Sequence, residues 1–301
     1  MAAGVMVSPF LSALRVLGHQ HWIPRGRNFV LRLLCDPDRQ PSRPFEVDFF
    51  GRRYPGDLSN FIDWTVFFFG ASSHDELFLM RDLAQALRRQ GRPVVVYDIG
   101  ANIGHHTLFA SGCADRVVAF EPFEAVRRKL EQKLAVNAIA NVSVYPVALG
   151  AADGSFPFYP PSGANEGTGS LLPVDGVEPI AVPVRKGDEL VREEGLPPPT
   201  IVKIDVEGAE TEAFEGLRET LSAARPFVLM ELLGATRERV GDEAGLRALL
   251  YPDADIYTLE PARGKWDYVL RPFAFDSAFE LLVAPRGAAA GIPELAARMK
   301  G

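Results

Sequence analysis

One stretch constrains the fold more than any other: Val94-Val95-Val96-Tyr97-Asp98-Ile99-Gly100-Ala101-Asn102-Ile103-Gly104-His105-His106. Its apolar, β-branched start predicts a buried strand. Gly100, Asn102 and Gly104 predict a tight turn, and Thr107-Leu108-Phe109-Ala110 suits the helix that follows. A strand, a small-residue turn and a helix form the first unit of a nucleotide-type α/β domain. Any ligand then lies beyond the strand's carboxyl end, against the turn and the helix N-terminus.

The turn departs from the dinucleotide fingerprint G-x-G-x-x-G, whose third glycine allows close helix–strand packing. Here the spacing is Gly100-x-Asn102-x-Gly104, and the third-glycine position is His105. The strand also carries Asp98 near its end. Unit charges about 4 Å apart interact by ~4 kcal/mol at an effective dielectric near 20. Asp98 therefore disfavours a diphosphate and favours a cation. S-adenosylmethionine carries an ammonium and a sulfonium, and no phosphate. Asn is one of the few residues besides Gly that takes positive φ readily. The second strand, Arg116 to Phe120, is followed by Glu121 and Pro122. An acid there suits ribose hydroxyls, as the acid about 20 residues on does in dinucleotide folds. The competing reading makes Asp98 a turn cap and Glu121 a solvated strand end. Two acids at successive strand ends favour the ligand.

The pattern Asp98-x-Gly100-x-Asn102-x-Gly104, followed by Phe120-Glu121-Pro122, resembles the class I S-adenosylmethionine-dependent methyltransferases. The later run Val202-Lys203-Ile204-Asp205-Val206-Glu207-Gly208-Ala209-Glu210 narrows the resemblance to the FkbM family. It covers about residues 94–232, and Asp57 to Trp64 resembles the lead-in of some members. The resemblance implies a Rossmann-like three-layer α/β sandwich with a mostly parallel seven-stranded sheet, preceded by an N-terminal extension. It implies donor contacts from Asp98, Gly100, Asn102 and Gly104 to the methionine moiety and from Glu121 to the ribose. It also implies O-methylation of a small-molecule or glycan acceptor, on sugars, glycans or natural products.

On the acceptor side, Asp205 ends the fourth strand and Glu207 opens the next helix. Paired acids there suit holding an acceptor hydroxyl, acting as base, or binding a divalent ion, although no metal is assigned. Glu207 has an alternative role as a helix cap near the positive dipole end. Lys203 fits a structural ion pair within its strand. His105 and His106 are adjacent, so they point about 100° apart and cannot form an i, i+4 metal pair. Packing or capping is their simpler role. Glu231, ending the fifth strand, either lines the acceptor site or is solvated.

Along the chain, residues 1–90 are expected to form the extension, 91–286 the methyltransferase domain, and 287–301 a frayed tail. Phe10 to Leu17 suits a small amphipathic helix. Residues 28–55 are expected to form a β-hairpin. Ser73 and Glu76 stand at capping-box spacing before a helix from Asp75 to Gln90. Single strands are expected at 142–149, 256–259 and 279–284, and edge strands at 155–159 and 180–184. Single helices are expected at 209–221 and 238–250. The Gly/Pro/Ser-rich segment 160–176 suits either a substrate lid or a tolerated insertion.

Composition narrows the alternatives. A net charge of −7 gives no sign of a nucleic-acid partner. Cys35 and Cys113 lack C-x-x-C spacing, which fits a reducing cytoplasm and no disulfide framework. No apolar run approaches the ~20 residues of a membrane span. Two rivals remain at this level: a nicotinamide-dependent oxidoreductase on a related fold, and a non-catalytic protein that kept the donor pocket. Oligomeric state is left open.

Overall fold

The structure, a computed structural model, describes residues 9–19, 26–39, 41–160, 169, 173–262 and 267–300. Helices α1 (Pro9–Gly18) and α2 (Arg27–Leu34) precede a hairpin of β1 (Pro44–Phe49) and β2 (Arg52–Asp57), then α3 (Phe61–Phe69) and α4 (His74–Arg89). The core begins with β3 (Val95–Ile99), α5 (His105–Cys113), β4 (Arg116–Phe120), α6 (Glu124–Val136) and β5 (Val142–Tyr145). Next come β6 (Ala148–Gly150), β7 (Gly154–Phe158), β8 (Ile180–Lys186), α7 (Gly187–Glu193), β9 (Ile201–Ile204), α8 (Glu210–Gly216) and α9 (Arg218–Ala224). The chain closes with β10 (Phe227–Glu231), α10 (Gly234–Val240), α11 (Glu243–Leu249), β11 (Ala254–Pro261), β12 (Tyr268–Pro272), β13 (Glu280–Pro285) and α12 (Pro293–Ala296).

Among the described residues the main sheet has eight strands, in the order β12-β11-β13-β10-β9-β3-β4-β5. Strands β5, β4, β3, β9 and β10 run parallel, and β13 is antiparallel to both β10 and β11. Alternation along each strand sorts side chains onto opposite faces. Val96, Val117, Ile201 and Leu229 join one core with Leu79, Leu83 and Leu108 of α4 and α5. Tyr97, Val118, Val202 and Val228 join the other with Phe214, Leu217 and Leu246 of α8 to α11. Helices on both faces of a parallel sheet make the expected three layers. The extension packs into the first core through Leu11, Leu14, Leu31, Trp64 and Phe67.

Asp63, 1% exposed, anchors the extension. It accepts hydrogen bonds from Tyr54 Oη (2.8 Å) and Asp57 N (2.9 Å), and Lys133 Nζ of α6 lies 3.6 Å away.

Several sequence expectations need correction. The sheet has an eighth strand, β12, a five-residue edge element ended by Pro272 and too short to announce itself by alternation. Residues 27–34 form a helix, and only 44–57 form the hairpin. Leu31 and Cys35, four residues apart, are the buried positions, which is helical spacing. The run 142–149 divides between β5 of the main sheet and β6 of a three-stranded sheet ordered β6-β8-β7. The helix at 209–221 breaks into α8 and α9. The helix at 238–250 breaks into α10 and α11, at Gly241 with φ 75°. Asp242 then caps α11 by accepting from Gly245 N (2.8 Å). The segment after Pro285 is packed rather than frayed. Ala289, Ile292 and Leu295 are buried, and Arg298 lies 3.4 Å from Asp82 and 2.7 Å from Asp267.

Candidate functional site

The strand order reverses at β3, where β4 and β9 flank it on opposite sides. Ligands of open α/β sheets bind outside the carboxyl ends of the strands at such a point. A cleft of about 640 Å³, its open mouth included, lies there. Ile99, Gly100, Asn102, Glu121, Phe123, Phe158, Gly169, Asp205 and Val206 are among its walls.

The turn after β3 needs its small residues. Gly100, Asn102 and Gly104 have φ of 81°, 49° and 85°. A Cβ on Gly100 would stand 2.0 Å from the Asp205 carbonyl oxygen, so the tips of β3 and β9 touch through this glycine. Glu121 fastens the turn from the other side. Its Oε2 accepts from Asn102 N and its Oε1 from Phe123 N, each at 2.8 Å. Each carboxylate oxygen keeps a further lone pair for a ribose hydroxyl. Phe123 and Phe158, with ring centroids 5.4 Å apart, add an apolar wall suited to a purine.

Asp98 is fully buried. Thr107 Oγ1 donates to its Oδ2 at 2.5 Å, while Oδ1 is buried without a hydrogen-bond partner. Lys203 is its register partner on β9. Burial opposes the charge on Lys203, but Asp205, Asp98 and Glu76 surround it and raise its pKa. Asp98 therefore stands one residue behind the cleft wall, partly offset by a lysine. The electrostatic selectivity expected from Asp98 is shared with Glu121 and the turn.

At the tip of β9, Asp205 Oδ2 lies 3.3 Å from Lys203 Nζ. Glu207 takes the left-handed backbone, φ 52°, a conformation that costs a non-glycine residue about 1–3 kcal/mol. It is not the helix cap. Glu210, fully buried, accepts from Val206 N (3.3 Å) and Gly208 N (3.1 Å) and also from Thr236, and so shapes this loop. Burial, then Asp205 and Glu210, push the Glu207 carboxyl up to about 7.

The two histidines diverge. His105 Nε2 accepts from Ser72 N at 3.1 Å, and burial holds the ring neutral. His106 Nε2 instead stands 2.8 Å from Glu76 Oε2. The capping box at Ser73 is thus not formed: α4 starts there, but Ser73 makes no side-chain cap and Glu76 turns to His106. Neither Thr107 nor Glu76 was assigned to the site from sequence. Thr107, in the first turn of α5, follows from Asp98 needing a donor; Glu76 comes from a helix distant in sequence. The centre of the 160–176 segment lies outside the described residues, except Gly169, which meets Phe158 at the cleft. Among the described residues no group of three His, Cys, Asp or Glu side chains is arranged to hold a metal.

A buried orphan acceptor on Asp98, a turn whose Gly100 admits no Cβ and a ribose-ready Glu121 together fit an adenosyl sulfonium compound. Burial pushes the Glu121 carboxyl up to about 7 from its ordinary 4.5, against the pull of its two backbone donors. A raised acid stabilises the fold below its unfolded pKa and loses that contribution as pH rises through the folded one. Ionised, both oxygens accept from ribose hydroxyls; protonated, one of them becomes a donor and accepts less well. Affinity for the adenosyl ligand should therefore rise from pH 6 to pH 8, and calorimetry across that interval measures it. A flat profile would remove Glu121 from the ligand contacts.

Comparison with known proteins gives the family. The methyltransferase FkbM domain model matches residues 98–257, just over half the chain. The hexuronic acid methyltransferase AglP of Haloferax volcanii is 30% identical over 171 residues, covering 54% of this chain and 69% of that protein. Methyltransferase 1 of Beauveria bassiana is 27% identical over 176 residues, with 52% and 69% covered. The solved methyltransferase FkbM of Methylobacillus flagellatus KT aligns with a TM-score of 0.44 at 19% identity, over 64% of this chain and 43% of that one.

Proposed function

The chain belongs to the FkbM methyltransferase family, and from that premise we propose that it moves a methyl group from S-adenosylmethionine to a hydroxyl of a sugar, glycan or natural product. The donor supplies an electrophilic methyl on a good, neutral leaving group. What remains for the protein is alignment, which lowers such barriers by ~7–11 kcal/mol. Gly100, Asn102 and Gly104 would receive the methionine portion above Asp98, and Glu121 the ribose.

Asp205 and Glu207 would hold the acceptor hydroxyls at the adjoining strand tip. A vicinal diol offers one donor to each carboxylate. The sugar class draws support from the hexuronic acid named for the Haloferax relative. The observation that carries the reading is the contact between the donor turn and Asp205 through Gly100, because it joins donor cleft and acids in one site. Free Cys35 and Cys113 support a reducing, cytoplasmic setting. No described helix is long and apolar enough to cross a membrane.

The test is mass spectrometry of hydroxylated acceptors, sugars first, incubated with methyl-labelled donor. A labelled methyl on oxygen is the expected product. Donor binding without transfer to any acceptor would favour a non-catalytic relative, and methylation at nitrogen or carbon would contradict the hydroxyl assignment.

A further inference from the structure

Beside Asp205 lies a row of ionisable groups that the donor cleft does not use. Glu231, the last residue of β10, stands opposite Glu280, the first of β13. Such pairs hold their Cβ atoms about 4.5–5.5 Å apart. Since Met230 pairs with Ile204, Glu231 is also level with Asp205. Glu280 Oε2 is buried without a hydrogen-bond partner, and Glu76 of α4 is the charge that most opposes ionisation of Glu280. Glu76, 5% exposed, is in turn the partner of His106 in the first turn of α5. The set reaches from the strand tips to His106, whose side chain is 13% exposed.

Two buried carboxyls that oppose each other's charge this strongly do not both ionise. Which of them keeps a proton follows from the surroundings. Burial, Glu76 and Asp75 push Glu280 up to about 11. Burial also opposes charge on Glu76, but His106 overrides it and holds that carboxyl well below the ordinary range. Glu280 therefore carries the proton and Glu76 the charge. Glu231 faces Asp205, Glu207 and Lys203 from the β9 tip, Glu76 from α4 and Glu280 from β13. Burial first, then Asp205 and Glu76, raise it to about 8. A general base works best with a pKa near the operating pH.

We propose that Glu231, level with Asp205 at the strand tips, takes the proton of the acceptor hydroxyl, and that Glu76, paired with His106, is a positioning residue that tunes Glu231 from behind Glu280. This rests on the methyl-transfer reading above. As the acceptor oxygen bonds to the methyl carbon, the electron pair of the broken S–C bond stays on sulfur and the hydroxyl proton passes to the Glu231 carboxylate. One positive and one negative charge disappear together, and Glu231 afterwards returns its proton to solvent.

The test combines the kcat–pH profile at saturating donor with ¹³C NMR titration of glutamate δ-carboxyls in the ligand-free protein. Glu231→Gln should lower kcat about 100-fold or more with donor affinity unchanged, and Glu231→Asp should recover part of it. Glu76→Gln removes a negative charge that opposes ionisation of Glu231. It should move both the acid limb of kcat and the Glu231 NMR midpoint to lower pH. A packing role for Glu76 would depress kcat at every pH without moving either. Full turnover by Glu231→Gln, or an unmoved limb and midpoint in Glu76→Gln, overturns the inference alone. Donor binding without methyl transfer by the unaltered protein overturns the underlying reading as well.

Discussion

Gly100→Ala is expected to destabilise the protein by about 3 kcal/mol or more and to abolish binding of S-adenosylmethionine. Two costs combine at this position. The residue has φ +81°, and its new methyl would meet the Asp205 carbonyl oxygen at 2.0 Å. That neighbour is backbone and cannot swing aside. Gly91→Ala separates the terms, because Gly91 has φ +69° with open space around its absent Cβ. There only the backbone term applies, about 1–2 kcal/mol. Urea denaturation of both variants reads the difference. Equal losses would mean that the β3 and β9 tips are not in the contact described.

Glu207→Gln should lower kcat/KM for the acceptor by about 10- to 100-fold, the value of a hydrogen bond to a charged group. Donor affinity should stay within about threefold, since Glu207 does not line the donor cleft. Asp205→Asn is less selective. It removes the partner of buried Lys203 and also alters the cleft wall. Steady-state kinetics with the acceptor found by mass spectrometry measures both variants. An unchanged kcat/KM in Glu207→Gln would remove the β9 tip from the acceptor site.

The central architecture was legible because it is local. Val94 to Tyr97 is an unbroken apolar run, the glycine turn follows two residues later, and Glu121 sits at the next strand end. Fully buried parallel strands advertise themselves in this way. Elements whose burial depends on distant partners were harder. Leu31 and Cys35 give α2 its one buried edge, and that spacing was masked by the exposed Phe29 and Leu33 around it. The packed tail was obscured by Ala and Gly, although Ile292 and Leu295 carried helical spacing.

The site divided along the same line. The turn residues and Glu121 stand together as their spacing implied. Asp98 was singled out for its charge, but its relation to Lys203 depends on strand register, which a single sequence does not state. Glu76 matched a capping box, and only the packing of α4 against α5 turns it toward His106. Local rules give way where a tertiary electrostatic partner offers more, and such departures concentrate at functional sites.

The account stands on the donor cleft, and calorimetric titration tests it most directly. S-adenosylmethionine should bind the unaltered protein with micromolar affinity and bind Glu121→Ala at least about 10-fold more weakly, the loss of more than one hydrogen bond to a carboxylate. NAD should give no heat of binding with either protein. Binding of NAD in preference to S-adenosylmethionine, or equal S-adenosylmethionine affinity with and without the Glu121 carboxylate, would contradict the account.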